Sequence, residues 1–200
     1  MAARGIAKGL EAAPGAKYEY SSITSLMLSE LITRQLTDSK DPRIRANAYR
    51  AFAEERLFKP AGITSAVLEF DGAGTQIGGS IIYMTLDDWG RFGALMMAGK
   101  GADGGQVIAP GWLAFLRMPS PTNPGYGGHI WLNSFPLTPH SGRPLPKTIY
   151  SANGHLGQWV ITSPEQDMVL VRLGKTNDGD REPVKKALGA IISGVLVKGR

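Results

Sequence analysis

The chain has 200 residues, 22 of them basic and 17 acidic, giving a formal net charge of +5; that length fits one domain, or one and a half, and can bury most of the surface of a real core. Its 42% hydrophobic and 20% charged residues are the balance expected of a soluble globular protein. The basic residues are scattered, with no run longer than Lys185-Lys186 and no stripe interleaved with aromatics, which argues against nucleic acid as a partner; the lack of cysteine excludes disulfides, thiolate metal sites and a cysteine nucleophile.

Residues 1–13 read as a short helix or a frayed start, closed by a Pro14-Gly15 turn. From Ser22 onward, Ile23, Leu26, Met27, Glu30 and Leu31 recur at i, i+3, i+4, which predicts a helix from about Ser22 to about Leu36, with Ser21 or Ser22 as its N-cap. Residues 37–45 form a polar loop, and a second helix is expected from about Ala46 to Phe58, stopping before Pro60. Residues 61–80 read as a loop or short strand ending in Gly78-Gly79. A third helix starts near Thr85, with Asp87 and Asp88 in the first turn, where acidic groups suit the helix dipole, and with Trp89, Phe92, Leu95 and Met96 as its apolar face. A glycine-rich turn spans Gly99 to Gly105, and a short helix runs from Ala109 to Arg117.

The second half changes character. Tyr126 to Asn133 is predicted as a strand, and residues 134–148 as a Pro-rich excursion. His155 to Thr162 and Met168 to Leu173 are predicted as two strands of a hairpin, joined by the turn at Ser163 to Asp167. Glu182 to Val197 is predicted as a final helix, with Val184, Leu188, Ile191 and Val195 on its inner side. Helices followed by an antiparallel sheet and a closing helix make an α+β fold, with residues 1–122 mainly helical and 123–200 carrying the sheet. No apolar run approaches membrane-spanning length, and the N-terminus lacks the hydrophobic stretch of a signal peptide, so the chain as written is expected to stay where it is made.

Several motifs fail on spacing. Gly93 to Lys100 resembles a phosphate loop but has one residue too many between its glycines and lies at a helix end. Gly72 to Gly78 misses the dinucleotide spacing by one residue. His129, His140 and His155 have no metal-ligand spacing, and no Gly-x-Ser-x-Gly elbow occurs. No cofactor is expected.

Four stretches, in this order, resemble the serine beta-lactamase and penicillin-binding-protein superfamily, toward its class C, esterase and 6-aminohexanoate-dimer hydrolase branch. The first is Pro14-Gly-Ala-Lys-Tyr-Glu-Tyr-Ser-Ser22 before its apolar helix. The second is Glu55-Arg-Leu-Phe-Lys-Pro-Ala-Gly-Ile-Thr64. The third is Gly78-Gly-Ser-Ile-Ile-Tyr-Met-Thr-Leu-Asp-Asp-Trp-Gly-Arg-Phe-Gly93. The fourth is Gly154-His-Leu-Gly-Gln158, followed by Pro164-Glu165 and by Met168-Val-Leu-Val-Arg-Leu-Gly174. The resemblance covers roughly residues 14–197 and implies a beta-lactamase/transpeptidase-like fold, here its C-terminal portion.

The resemblance also implies a mechanism, in which the serine of a Ser-x-x-Lys motif attacks an ester or amide carbonyl and water clears the acyl-enzyme. Tyr20 would exchange protons with the motif's lysine; a tyrosine is a poor base at neutral pH, so this role requires neighbouring cations. His155 would line the pocket and polarise the substrate or Tyr20. The backbone N–H of Gln158 would be one oxyanion donor. Ser22 replaces the family's substrate-contacting asparagine, and Gly157, Trp159 and Tyr126 would flank the substrate.

Each residue has a plain alternative. Tyr20 can be a packing tyrosine, Ser22 an N-cap and His155 an ordinary half-buried histidine. Gly157 can be a close backbone approach, and Tyr126, Trp131 and Trp159 sheet packing.

No lysine has a serine three residues before it; the nearest miss is Thr37-Asp-Ser-Lys40, in a charged loop. The nucleophile and the first strands are therefore expected upstream, in a missing N-terminal part of the same domain. Met1 would then be an internal start or the mark of a truncated parent. The expected partner is a small-molecule ester or amide, bound by that parent. The rival reading is a non-catalytic degenerate homologue that binds a peptide or cell-wall ligand.

Overall fold

A computed structural model describes residues 1–132, 137 and 144–195 of the chain. The chain divides into two compact units, one of Met1–Asp88 with Gly101–Val107, the other of Trp89–Lys100 with Ile108–Arg200.

The first unit is helical. Helix α1 (Ala2–Ala7) packs on α2 (Ser22–Leu36), and α2 packs on α3 (Pro42–Ala53). Helix α2 has the bounds that its periodicity predicts. Its cap is Ser21, whose Oγ accepts the Ile23 N–H at 3.2 Å, which leaves Ser22 as the first helical residue. Its buried stripe is Leu26, Ser29, Glu30 and Thr33. The Glu30 carboxylate takes Arg45 at 2.6 Å, Arg34 at 2.7 Å and the Thr75 hydroxyl at 2.6 Å. This ionic knot joins α2, α3 and the segment before Gly78.

Helix α3 differs from expectation at both ends. It starts at Pro42 because Asp41 caps it, accepting the Arg43 N–H at 2.8 Å, and proline suits the first helical position. It then widens into a π-helical turn (Glu54–Phe58) and continues through α4 (Lys59–Ala61), so the helix passes Pro60 instead of stopping before it. The wider i→i−5 ladder, seen in the Lys59 N–H bonded to the Glu54 carbonyl, absorbs the disruption that proline causes in an α-helix. The end is a Schellman motif: Gly62 is left-handed, its N–H bonds to the Lys59 carbonyl, and the Ile63 N–H bonds to the Phe58 carbonyl at 2.8 Å. Phe58 and Ile63 are both buried. Strands β1 (Val67–Leu68) and β2 (Ile82–Tyr83) pair antiparallel. The buried Asp88 carboxylate fixes the chain before β1 by accepting the N–H groups of Thr64 and Ser65 at 2.9 and 2.7 Å.

Helix α5 (Leu86–Ala98) starts in the first unit and continues in the second. In the second unit, α6 (Pro110–Leu116) is followed by a three-stranded antiparallel sheet of order β3-β4-β5, formed by Tyr150–Gly154, Gln158–Ser163 and Met168–Arg172. One face of the sheet packs Trp159 and Ile161 against Leu188 and Ile192 of α7 (Arg181–Gly194), with Met168, Leu170 and Val184 around them. The inward residue of α7 is thus Ile192, fully buried, whereas Ile191 is 51% exposed, a shift of one residue from the predicted face. On the other face α5 approaches through Gly93, where a Cβ would collide with Val169. Arg117 closes α5, donating to the carbonyls of Met96 and Met97 at 2.8 Å each.

Two strand expectations change. Tyr126 to Asn133 is not a continuous strand in its described part: Tyr126 and Trp131 bridge each other across a tight turn at Gly127 to Ile130, and Trp131 bridges Ser151. The turn is fixed by His129 at φ 61° and by Gly127, where a Cβ would collide with the Leu116 carbonyl. The other strand predicted from His155 begins at Gln158, and a strand before it, β3, was not expected. Leu156 and Gly157 are left-handed at φ 56° and 86°, which breaks an extended run. Asn133, His140, most of 134–148 and Val197 lie outside the described residues.

Candidate functional site

The sequence candidates fall into two groups, one in each unit. In the first unit, Tyr20 immediately precedes the cap of α2 and is 59% exposed. Ser22 is exposed on the first turn and is not the cap. Lys17, three residues before Tyr20, is paired with Glu11 at 3.2 Å and Glu19 at 2.7 Å. The Gly78-Gly79 pair presses against α2 beside these residues. A Cβ on Gly79 would lie 2.7 Å from the Ser22 Cβ, and one on Gly78 would lie 2.9 Å from the Ser25 carbonyl oxygen. Only glycine fits there. Two residues on, Ile81 is held at φ 60°, an outlier for a β-branched side chain that sequence reasoning did not flag. The Ser29 hydroxyl donates to the Gln76 side-chain oxygen at 3.1 Å and ties this segment down.

Thr37 and Lys40, the nearest miss to a nucleophile motif, make a local turn: the Thr37 hydroxyl oxygen accepts the Ser39 N–H at 3.1 Å.

In the second unit the candidates gather on the turn His155-Leu156-Gly157 between β3 and β4. The turn is braced by the segment after β5. The Leu156 carbonyl accepts the Thr176 N–H at 2.8 Å. Arg172 donates from Nη1 to the carbonyls of Gly157 and Gly174. The Gln158 side chain grips Gly174 from both sides, donating to its carbonyl and accepting from its N–H at 2.9 Å each, and it also donates to the His155 carbonyl at 3.3 Å. Gly157 is required twice over, by its left-handed φ and because a Cβ would sit 2.6 Å from Thr176 Oγ1 and 3.0 Å from Arg172 Nη1. His155 projects from this frame and is exposed rather than half-buried. Arg172 and Thr176 are the supporting residues that sequence reasoning missed. The Val-Arg-Leu-Gly run is the only signal for Arg172, Thr176 has none, and the contact of both with the turn is long-range.

Two candidates move to other roles. Trp159 is 7% exposed and belongs to the core beneath α7, so it packs the sheet. The Gln158 backbone N–H is turned inward. Ser151 exchanges both of its backbone bonds with Trp131, at 2.8 and 2.9 Å, so its peptide groups face away from β4. Antiparallel alternation then aims Gly154 and its partner Gln158 at each other. The same alternation points the backbone of Asn153 away from β4, to the side of β3 on which Trp131 meets Ser151. Tyr126 is stacked edge-on against Trp131, with ring centroids 5.0 Å apart at 85°.

Among the described residues no group of histidine, aspartate and glutamate could hold a metal ion, and no helix is long and apolar enough to cross a membrane.

Solved structures share this fold. A beta-lactamase from Mycobacterium bovis aligns with a TM-score of 0.65 at 17% identity, over 89% of this chain and 64% of its own. A protein from Bacillus anthracis, provisionally named as a 6-aminohexanoate-dimer hydrolase, aligns with a TM-score of 0.60 at 18% identity, over 90% of this chain and 45% of its own. A protein from Bacteroides dorei, provisionally named as a beta-lactamase, aligns with a TM-score of 0.62 at 16% identity, over 96% of this chain and 63% of its own. The chain therefore spans less than two thirds of the length of each. No curated protein matches the sequence. The profile of the Beta-lactamase family matches residues 1–192, and the chain belongs to that family.

Proposed function

We propose that this chain is part of a serine hydrolase that cleaves an ester or amide through an acyl-enzyme, and that the 200 residues alone do not turn over substrate. The observation that carries the reading is the family match over residues 1–192. The sequence also holds no Ser-x-x-Lys motif, which is why activity is assigned to a larger whole.

In that whole, a serine oxygen adds to the substrate carbonyl and the alcohol or amine departs with a proton. Water then releases the acid and restores the serine. Tyr20 is assigned the proton transfer, and Ser22 a single hydroxyl contact to substrate. His155, exposed at the tip of the braced turn, is assigned polarisation of the substrate. Developing negative charge needs backbone donors, and the Asn153 N–H, which strand alternation turns away from β4, is assigned that part in place of the Gln158 N–H. The Arg172, Gln158 and Thr176 contacts keep the turn in place.

Labelling with a fluorophosphonate tests the claim of inactivity: the chain alone should take up none, and stoichiometric labelling would overturn it. The coding sequence immediately upstream of codon 1 tests the larger claim. An in-frame Ser-x-x-Lys supports a hydrolase. A stop codon or unrelated sequence favours the second reading, a non-catalytic homologue that binds a peptide or cell-wall ligand, which the missing motif motivates.

A further inference from the structure

We infer that the second unit carries a binding site for one small apolar molecule of benzene size, between α5 and the sheet face opposite α7. The cavity there measures about 140 Å³ and is lined by Phe92 and Met96 of α5, by His129 and Ile130 of the preceding turn, and by Ala152 and Val160 of the sheet, with Tyr150 and Thr162 at its back.

Its origin lies in side-chain size and register. Ala152 and Val160 are cross-strand partners on one face, and Phe92 and Met96 stand one helical turn apart above them. Ala152 contributes only a single methyl to this lining. Ile130, Tyr150, Val160 and Thr162 are buried, whereas His129 is exposed, so the cavity opens beside His129.

Polarity decides what fills it. A water held in such a space needs two to four polar partners, whereas dry apolar cavities of roughly 150 Å³ take up benzene or xenon. The polar groups at the back are already committed to one another. The Tyr150 hydroxyl donates to the Met96 carbonyl at 2.8 Å and accepts from Arg117 at 2.8 Å, and Thr162 hydrogen-bonds to it as well. Apart from the His129 imidazole at the mouth, what remains is mostly methyl, thioether and aromatic surface, which suits a single ring or a short alkyl group. This site is independent of the hydrolase reading, because none of its lining residues is assigned to the reaction.

The test is a benzene titration of the full chain with ¹³C-labelled methyl groups. Saturable shifts are expected at the methyls of Met96, Ile130, Ala152, Val160 and Thr162, following one dissociation constant. The melting temperature should rise by about 3 °C or more at ten times that constant. Ala152→Leu should fill the space and abolish the shifts; if that variant does not fold, Ala152→Val serves, with the shifts reduced. Saturating benzene that leaves the methyls of these five residues unmoved in the wild-type chain would overturn the inference, as would shifts unchanged in a folded Ala152→Leu chain.

Discussion

Gln158 and Gly174 are joined by two hydrogen bonds of 2.9 Å each, from one side-chain amide to both backbone groups of one residue. The amide imitates a strand partner where β5 has ended. Replacing Gln158 with glutamate keeps the acceptor, loses the donor and sets a carboxylate against the Gly174 carbonyl. We predict a loss of about 1–2 kcal/mol, because an acceptor is left facing a like partner. Urea denaturation measures it, and an unchanged midpoint would remove Gln158 as the brace.

Gly93 sets the approach of α5 to the sheet. Gly93→Ala should cost about 1–3 kcal/mol through overpacking against Val169. Val169→Ala in the same chain should recover part of that loss, since neighbours in contact are not additive. Additive costs in the double-mutant cycle would show that the contact does not matter.

The Glu30 knot makes the first unit sensitive to acid. Burial pushes the Glu30 carboxyl up, but the hydrogen bonds from Thr75 and Arg34 and the charges of Arg45 and Arg34 outweigh it and hold the group below its ordinary value of 4.5. The folded state therefore binds fewer protons than the unfolded state as pH falls. Its contribution to stability is full above pH 4.5 and is lost as pH drops through the lowered folded value. Denaturant titrations at pH 6 and at pH 3.5 should show that decline, and it should be smaller in Glu30→Gln. That variant should also be less stable at pH 6 by about 2 kcal/mol, because the half-buried Arg45 loses its charged partner and keeps only its bond to the Ala73 carbonyl. A pH profile identical in variant and wild type would exclude Glu30 as the cause.

On its outer side, strand β5 meets no described strand. By antiparallel alternation Ile161 faces Leu170 in the ladder, so the peptide groups of Val169 and Val171 point to the other edge, where no described strand meets them. Such edges invite pairing with another chain. Light scattering across a concentration series should show self-association, and a monomer that persists at high concentration would count against a free edge.

Helix α2 and the hairpin turn at Pro164 were legible because their signals are local: a serine cap, an apolar spacing and a Ser-Pro turn. The three-residue break at His155 was not, because Leu156 gives no hint of a left-handed backbone and the braces that impose it come from Arg172 and Thr176. Strand β3 was missed for a related reason, since Tyr-Ser-Ala-Asn-Gly has little β-branched character and is a strand through its neighbours. The stretches that point to the family survive as local motifs, so Tyr20, Ser22 and His155 could be picked out. The turning of Gln158 into the ladder depends on the bridge from Trp131 to Ser151, which only the folded chain displays.

The π-helical turn at Glu54–Phe58 holds one residue more than an α-helical turn would. Deleting one residue from it would make the bond from the Lys59 N–H to the Glu54 carbonyl an ordinary i→i−4 bond and leave Pro60 and the Schellman end in register. The regular part of α3 has no residue to spare, and a deletion there would turn everything after it by about 100°. Phe58 and Ile63, 5% and 1% exposed, would then leave the core together. Single-residue deletions should therefore be tolerated at Glu54–Phe58 far better than within Pro42–Ala53, where they should unfold the first unit.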